Sequence, residues 1–81
     1  LRPLLAHAEA DVALDAAWRI ARRQSALGQT TSALSTLRQG LARGGSALQR
    51  ARLYALEGQV YERTGNAERA ADSYRKAVMA R

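Results

Sequence analysis

The chain has 81 residues, of which 18 are alanine and 11 leucine, with one Pro and no Phe or Cys. Alanine and leucine favour helices and β-branched residues are few, which excludes a disulfide scaffold, a cysteine-ligated metal site and a β-rich fold. Thirteen Lys+Arg against seven Asp+Glu give a formal charge of +6, the hydrophobic share of 47% is too high for a disordered chain, and charged residues interrupt every apolar stretch well before the ~18 residues of a membrane span.

The predicted elements follow in chain order. Residues 1–10 read as the tail helix of a preceding repeat, with Pro3 tolerable only in a first helical turn or an irregular segment. A helix over about 12–27 stops at Gly28, a residue suited to helix C-termini. A second, over about 31–43, stops at Gly44-Gly45 and contains Gly40. An interior glycine costs about 1 kcal/mol relative to alanine, so Gly40 marks a place where two helices approach closely. Ser46 caps a third helix over about 47–64, with Gln49 completing a capping box. Gly65 ends it, and Asn66 caps a last helix reaching about residue 80, with Glu68 at its positive dipole end. The expected fold class is all-α: antiparallel helices joined by loops of about two to four residues.

The pattern repeats. A shift of 37 residues lays GQTTSALSTLRQGL on GNAERAADSYRKAV, matching Gly28 with Gly65, Ala33 with Ala70 and Arg38 with Arg75. It also pairs Ala21 with Gly58, Leu37 with Tyr74 and Leu41 with Val78. The small and large positions after each glycine fall on one helical face. LRPLLA at the N-terminus matches LRQGLA at 37–42. The chain divides into a tail (1–10), a first repeat (11–45) and a second repeat (46–81).

The second repeat resembles the tetratricopeptide repeat (TPR) family. Its large–small–Tyr–Gly–Ala–aromatic–Ala series is Tyr54, Gly58, Tyr61, Gly65, Ala70, Tyr74 and Ala77. Glu57 stands where the family usually has leucine. The first repeat is degenerate, with Ala17, Ala21, Gln24, Gly28, Ala33, Leu37 and Gly40 at these positions. The resemblance implies a short right-handed solenoid of stacked antiparallel pairs sharing one core. The expected core is Leu14, Ala17, Ile20, Ala21, Leu27, Leu34, Leu37, Leu41, Tyr54, Gly58, Tyr61, Ala70, Tyr74, Ala77 and Val78. Two repeats and a fraction are few for such an array, and the start at Leu1 points to a piece of a longer protein.

The resemblance also implies a concave groove formed by the first helix of each pair. Its register places Asp15, Trp18, Arg19, Arg22, Ser25 and Ala26 there from the first repeat, and Arg52, Ala55, Gln59, Glu62 and Arg63 from the second. Some family members clamp a partner's C-terminal carboxylate with lysine and asparagine. The matching positions here are Trp18, Arg22, Ala55 and Gln59, so that clamp is not expected. Trp18 reads either as an interface anchor or as cover for the core. Arg19, Arg22 and Arg23 share one face, read as a basic stripe for carboxylates or phosphates or as a solvated surface.

Catalysis is not expected. His7 is the lone histidine, Glu57 and Glu62 share no helical face, and the serines lack a His–Asp context. No metal or cofactor is expected. The leading functional expectation is a non-enzymatic scaffold binding a protein or peptide in the groove. The alternatives are self-association, or electrostatic binding of an anionic polymer such as nucleic acid or acidic polysaccharide. Nucleic acid is the weaker partner, because the cations are dispersed and no recognition signature appears. The Arg-over-Lys bias also fits GC-rich coding and a bacterial source, in cytoplasm or periplasm alike.

Overall fold

A computed structural model describes the backbone of residues 2–80 and the side chains of residues 8–80. These residues form four α-helices and no strand: α1 (Arg2–Ala26), α2 (Thr30–Leu41), α3 (Ala47–Arg63) and α4 (Ala67–Ala80). The 37-residue shift carries the end of α1 onto the end of α3 and the start of α2 onto the start of α4. The internal repeat is therefore a repeat of helix boundaries as well as of residues.

α1 is longer than expected. Residues 2–10 continue directly into the helix, because nothing between Ala10 and Val12 interrupts the hydrogen-bond ladder. Pro3 lies in the first turn, where its missing N–H has no intrahelical acceptor to lose. Leu1, Arg81 and the side chain of His7 lie outside the described residues.

Two helix ends close in the same way. Gln29 N–H donates to Gln24 O at 2.8 Å and Gly28 N–H to Ser25 O at 3.0 Å. At the end of α3, Asn66 N–H donates to Tyr61 O at 2.9 Å and Gly65 N–H to Glu62 O at 3.0 Å. Both closures need a left-handed residue, supplied by Gly28 at φ 78° and Gly65 at φ 79°. Asn66 Oδ1 then accepts from Arg69 N–H at 3.1 Å and starts α4.

The capping box at α3 forms by half. Ser46 Oγ accepts from Gln49 N–H at 3.3 Å. Ser46 N–H donates to Asp11 Oδ1 at 2.7 Å instead of to Gln49, whose Oε1 accepts from Arg52. A carboxylate accepts more strongly than a neutral amide. The substitution ties the 42–46 linker to α1.

Cross-helix contacts set the directions. Gln24 meets Thr36 and Ala17 meets Gly40, so α1 and α2 run antiparallel. Tyr54 meets Lys76 and Tyr61 meets Arg69, so α3 and α4 do the same. Asp15 meets Arg52 and Ser25 meets Arg63, which makes α1 and α3 parallel neighbours. Among the described residues α3 packs against the other three helices, whereas the backbones of α2 and α4 stay apart.

The core joins Leu14, Ala17, Ala21, Ala33 and Leu37 of the first hairpin to Leu53, Leu56 and Val60 of α3. Tyr61, Ala70 and Ala77 are also buried, and Leu34 and Leu41 pack against the cluster at its edge. Tyr54 and Tyr74 are half-buried. Ile20, Leu27 and Val78 depart from expectation, being 51%, 64% and 66% exposed. Leu27 lies past the end of α1, and Ile20 and Val78 sit on the two outer faces of the stack. Ala51, Leu53, Leu56 and Val60 are buried without having been expected, because α3 is enclosed on three sides rather than along one stripe. Two glycines mark close crossings: a Cβ on Gly40 would lie 2.8 Å from Ala17 Cβ, and one on Gly58 would lie 2.7 Å from the Tyr74 ring.

Candidate partner-binding groove

The parallel pair α1 and α3 opens a groove on one side of the stack. Its central recess, about 390 Å³, is lined by Trp18 and Arg22 from α1 and by Arg52, Ala55, Leu56 and Gln59 from α3. A second recess of about 320 Å³ continues it toward the helix C-termini, sharing Arg22, Leu56 and Gln59 and adding Ser25, Ala26 and Arg63. Positions three and four apart on each helix supply the lining, as one helical face requires.

Trp18 sits on the groove floor, half-buried against the core cluster. Two guanidinium groups lie over its ring, Arg52 at 4.4 Å and Arg22 at 5.2 Å from the centroid. Such stacking draws a cation to the negative face of the indole and holds its fork rigid. Arg52 is fixed further by Asp15, whose Oδ1 lies 3.5 Å from its Nη1, and by Gln49 Oε1 at 3.3 Å. Arg19 Nε donates to Asp15 Oδ2 at 3.0 Å on the exposed flank. At the other end Arg63 Nη1 donates to Ser25 O at 3.2 Å, tying α3 to the end of α1. Arg22, Arg52 and Arg63 thus face the groove, and Asp15 stands at its edge.

Ten of the eleven sequence-predicted positions lie in or beside this groove: Asp15, Trp18, Arg19, Arg22, Ser25, Ala26, Arg52, Ala55, Gln59 and Arg63. Glu62 does not. It turns to α4, where its carboxylate accepts from the Tyr74 hydroxyl. That hydrogen bond, then burial and the negative charge of Glu62, push the Tyr74 phenol up to about 12. The basic stripe divides as well: Arg22 enters the groove, Arg19 pairs at its edge and Arg23 points to solvent. Leu56 lines both recesses and was missed, because the alternation of apolar and polar residues along α3 gives no clean stripe.

Opposite the groove, α2 and α4 splay over α3 and leave a polar cleft of about 360 Å³. Glu57, buried to 8% exposure, accepts from Ser73 Oγ at 2.7 Å in its floor. Arg38 Nη2 donates to the Tyr61 hydroxyl at 3.2 Å, Arg69 lies over the Tyr61 ring and Lys76 over Tyr54.

Among the described residues no three His, Cys, Asp or Glu side chains converge as metal ligands, and no helix is long and apolar enough to cross a membrane. Compared with protein-family models, with curated proteins and with solved structures, the chain matches none.

Proposed function

We propose that the chain is a short TPR-like solenoid acting as a non-enzymatic scaffold, and that it holds an acidic, extended segment of a partner protein along the α1–α3 groove. The observation that carries this reading is the Trp18 ring stacked under Arg52 and Arg22 in a recess open to solvent. A flat aromatic floor accepts apolar side chains at small entropic cost, and preset guanidinium forks accept carboxylates in bidentate geometry. Three arginines against Asp15 set the preference for negative charge. Trp18, Arg22, Ala55 and Gln59, where the family resemblance places ligand contacts, all line the central recess.

Trp18 is the single tryptophan, so its fluorescence reports groove occupancy directly. The test is a titration with a twelve-residue peptide of alternating Glu and Leu at about 50 mM salt. A saturable change in Trp18 emission is expected, abolished in Arg52→Glu while the helical circular dichroism stays that of the wild type. No change up to about 1 mM peptide would sink the proposal. A single-stranded oligonucleotide of equal charge is the control. An equal response from it would replace peptide recognition with the binding of any anionic polymer.

A further inference from the structure

We propose that the polar cleft between α2 and α4 binds a small phosphomonoester, its phosphate held by Arg38, Arg69, Lys76 and the Tyr61 hydroxyl. The cleft lies across α3 from the groove, so this site is separate from the one that takes a partner segment.

The floor of the cleft is α3 and its walls are α2 and α4, so it lies between helices of this chain and not on an outer face. Three helical faces meet there. Tyr54, Glu57 and Tyr61 stand three and four apart on α3, Arg69, Asp72 and Lys76 do so on α4, and Arg38 stands across from them on α2.

Two of the three cations are not neutralised. Among the described residues no carboxylate forms an ion pair with Arg38 or Arg69. Arg38 Nη2 spends one N–H on the Tyr61 hydroxyl oxygen at 3.2 Å, and Arg69 lies over the Tyr61 ring, 5.9 Å from its centroid. Each guanidinium carries several N–H donors, so most of them remain open. Tyr61 is itself only 8% exposed. Its hydroxyl accepts from Arg38, while its own proton meets no acceptor among the described residues. The carboxylates nearby are occupied: Glu57 accepts from Ser73 in the floor, and Asp72 is shared by Lys76 at 3.5 Å and Arg75 at 3.6 Å.

Packing alone does not require these charges. The 37-residue shift takes Glu57, Tyr61, Arg69, Asp72 and Lys76 to Ile20, Gln24, Ser32, Ser35 and Gln39. The first hairpin packs with uncharged residues at every one of these places. Like charges gathered between two walls repel in the empty cleft, and a dianion between them turns that repulsion into attraction.

Size and shape select the ligand. A cleft of about 360 Å³ is at the small end of small-molecule sites. Cations on two facing walls suit the three outer oxygens of a phosphomonoester, whereas a planar carboxylate fills one guanidinium fork at a time. The half-buried Tyr54 ring offers the organic part of the ester an apolar surface.

The test is calorimetric titration of the 81-residue chain with glycerol phosphate at about 50 mM salt. One site per chain is expected, with a Kd of about 1 mM or below. Arg38→Gln and Arg69→Gln should each weaken binding about tenfold, because each removes charge-assisted hydrogen bonds. Both side chains are exposed, so both variants should keep the wild-type circular dichroism. Tyr61→Phe deletes only the hydroxyl and should weaken binding about threefold. Arg23→Gln removes a solvent-facing cation of α1 and should leave the affinity unchanged. Trp18 emission should stay constant throughout, since the groove is on the other side of α3. No heat up to about 10 mM glycerol phosphate, wild-type affinity in both cleft arginine variants, or an equal loss in Arg23→Gln would each overturn the proposal. A pentapeptide carrying one phosphoserine is the second arm. Binding no tighter than that of glycerol phosphate supports a small ligand, whereas binding more than about tenfold tighter would overturn it in favour of a phosphorylated protein segment.

Discussion

The two hairpins share one backbone plan and fill it with different side chains. In the first, α1 and α2 close on Ala17 against Gly40, with Ala21 and Leu37 fully buried in the same cluster. The equivalent positions in the second are Tyr54 with Ala77 and Gly58 with Tyr74, and there the Tyr74 ring occupies the space of the missing Gly58 side chain. At Gly58 and Tyr74 a larger residue on one helix is met by a smaller one on the other, so the combined bulk of Ala21 and Leu37 is kept, as close packing demands, while the residues change. Tyr54 and Ala77 are both larger than Ala17 and Gly40, and Tyr54 is only half-buried. The polar chemistry differs too: the first hairpin has a part-buried Thr36–Gln24 bond, whereas the second has a buried Glu57–Ser73 pair and a phenol bonded to Glu62.

The harshest way to break this correspondence is Gly58→Leu. The first side-chain carbon alone would stand 2.7 Å from the Tyr74 ring. Leucine adds three more carbons to a crossing with no free volume. Overpacking of this size should cost about 3 kcal/mol or more, a large share of the stability of a domain this small. The variant should lose its cooperative thermal transition in circular dichroism. A midpoint equal to the wild type would mean that the crossing is not packed as described.

A milder change tests the bulk rule itself. Gly58→Ala should lower stability by about 1–3 kcal/mol, although alanine is the better helix former. Adding Tyr74→Leu turns the crossing into the Ala–Leu pair of the first hairpin. The two substitutions should therefore couple favourably in a double-mutant cycle of denaturant midpoints. Strict additivity would show that Gly58 and Tyr74 do not share the space.

These two hairpins were not equally legible in sequence. Gly28 and Gly65 end helices because only glycine enters the left-handed region cheaply, and that local rule is readable from one residue. The second hairpin could be read from Tyr54 to Ala77 because its crossing uses aromatic and glycine extremes. The first uses alanine and leucine, which occur everywhere in this chain, so its boundary at residue 12 was misjudged and α1 runs back to Arg2. The groove positions on α1 followed from the register that the family resemblance implies. Glu62 departs from that register because the Tyr74 hydroxyl, reached through tertiary packing, decides where the carboxylate turns. Ile20 and Val78 carry core-like apolarity, but they occupy the two ends of the stack, and no local pattern distinguishes an end from a middle.

The polar difference between the hairpins yields a change in the stabilising direction. Glu57 is a carboxyl group buried beside Ser73 where Ile20 occupies the equivalent place on α1. Removing one partner leaves the other unsatisfied. Removing both lets an apolar side chain fill the site without desolvating a charge. Glu57→Leu combined with Ser73→Ala should raise stability by about 1 kcal/mol, seen as a higher thermal midpoint. Glu57→Ala alone should lower it. If the double change also lowers the midpoint, the pair contributes more than packing could replace.

The smallest expected effect isolates the Tyr74–Glu62 bond, which the first hairpin cannot make because Leu37 stands where Tyr74 does. The phenol rises from its usual 10 to about 12 because its proton is held by the Glu62 carboxylate, in a partly buried site beside that charge. Folding therefore favours the protonated form. Below pH 10 both folded and unfolded chains keep the proton, and the bond contributes in full. Between pH 10 and about 12 the unfolded chain loses its proton first, so the contribution shrinks as pH rises and is gone once the folded phenol ionises. Tyrosinate absorbance of the folded protein should include one phenol titrating near 12, missing in Tyr74→Phe. The stability gap between wild type and Tyr74→Phe, measured by denaturant midpoints, should be constant below pH 10 and narrow above it. Glu62→Gln should bring the Tyr74 titration down toward 10, since the neutral amide removes the charge and weakens the acceptor. An unchanged titration in that variant would assign the shift to burial instead of to the carboxylate.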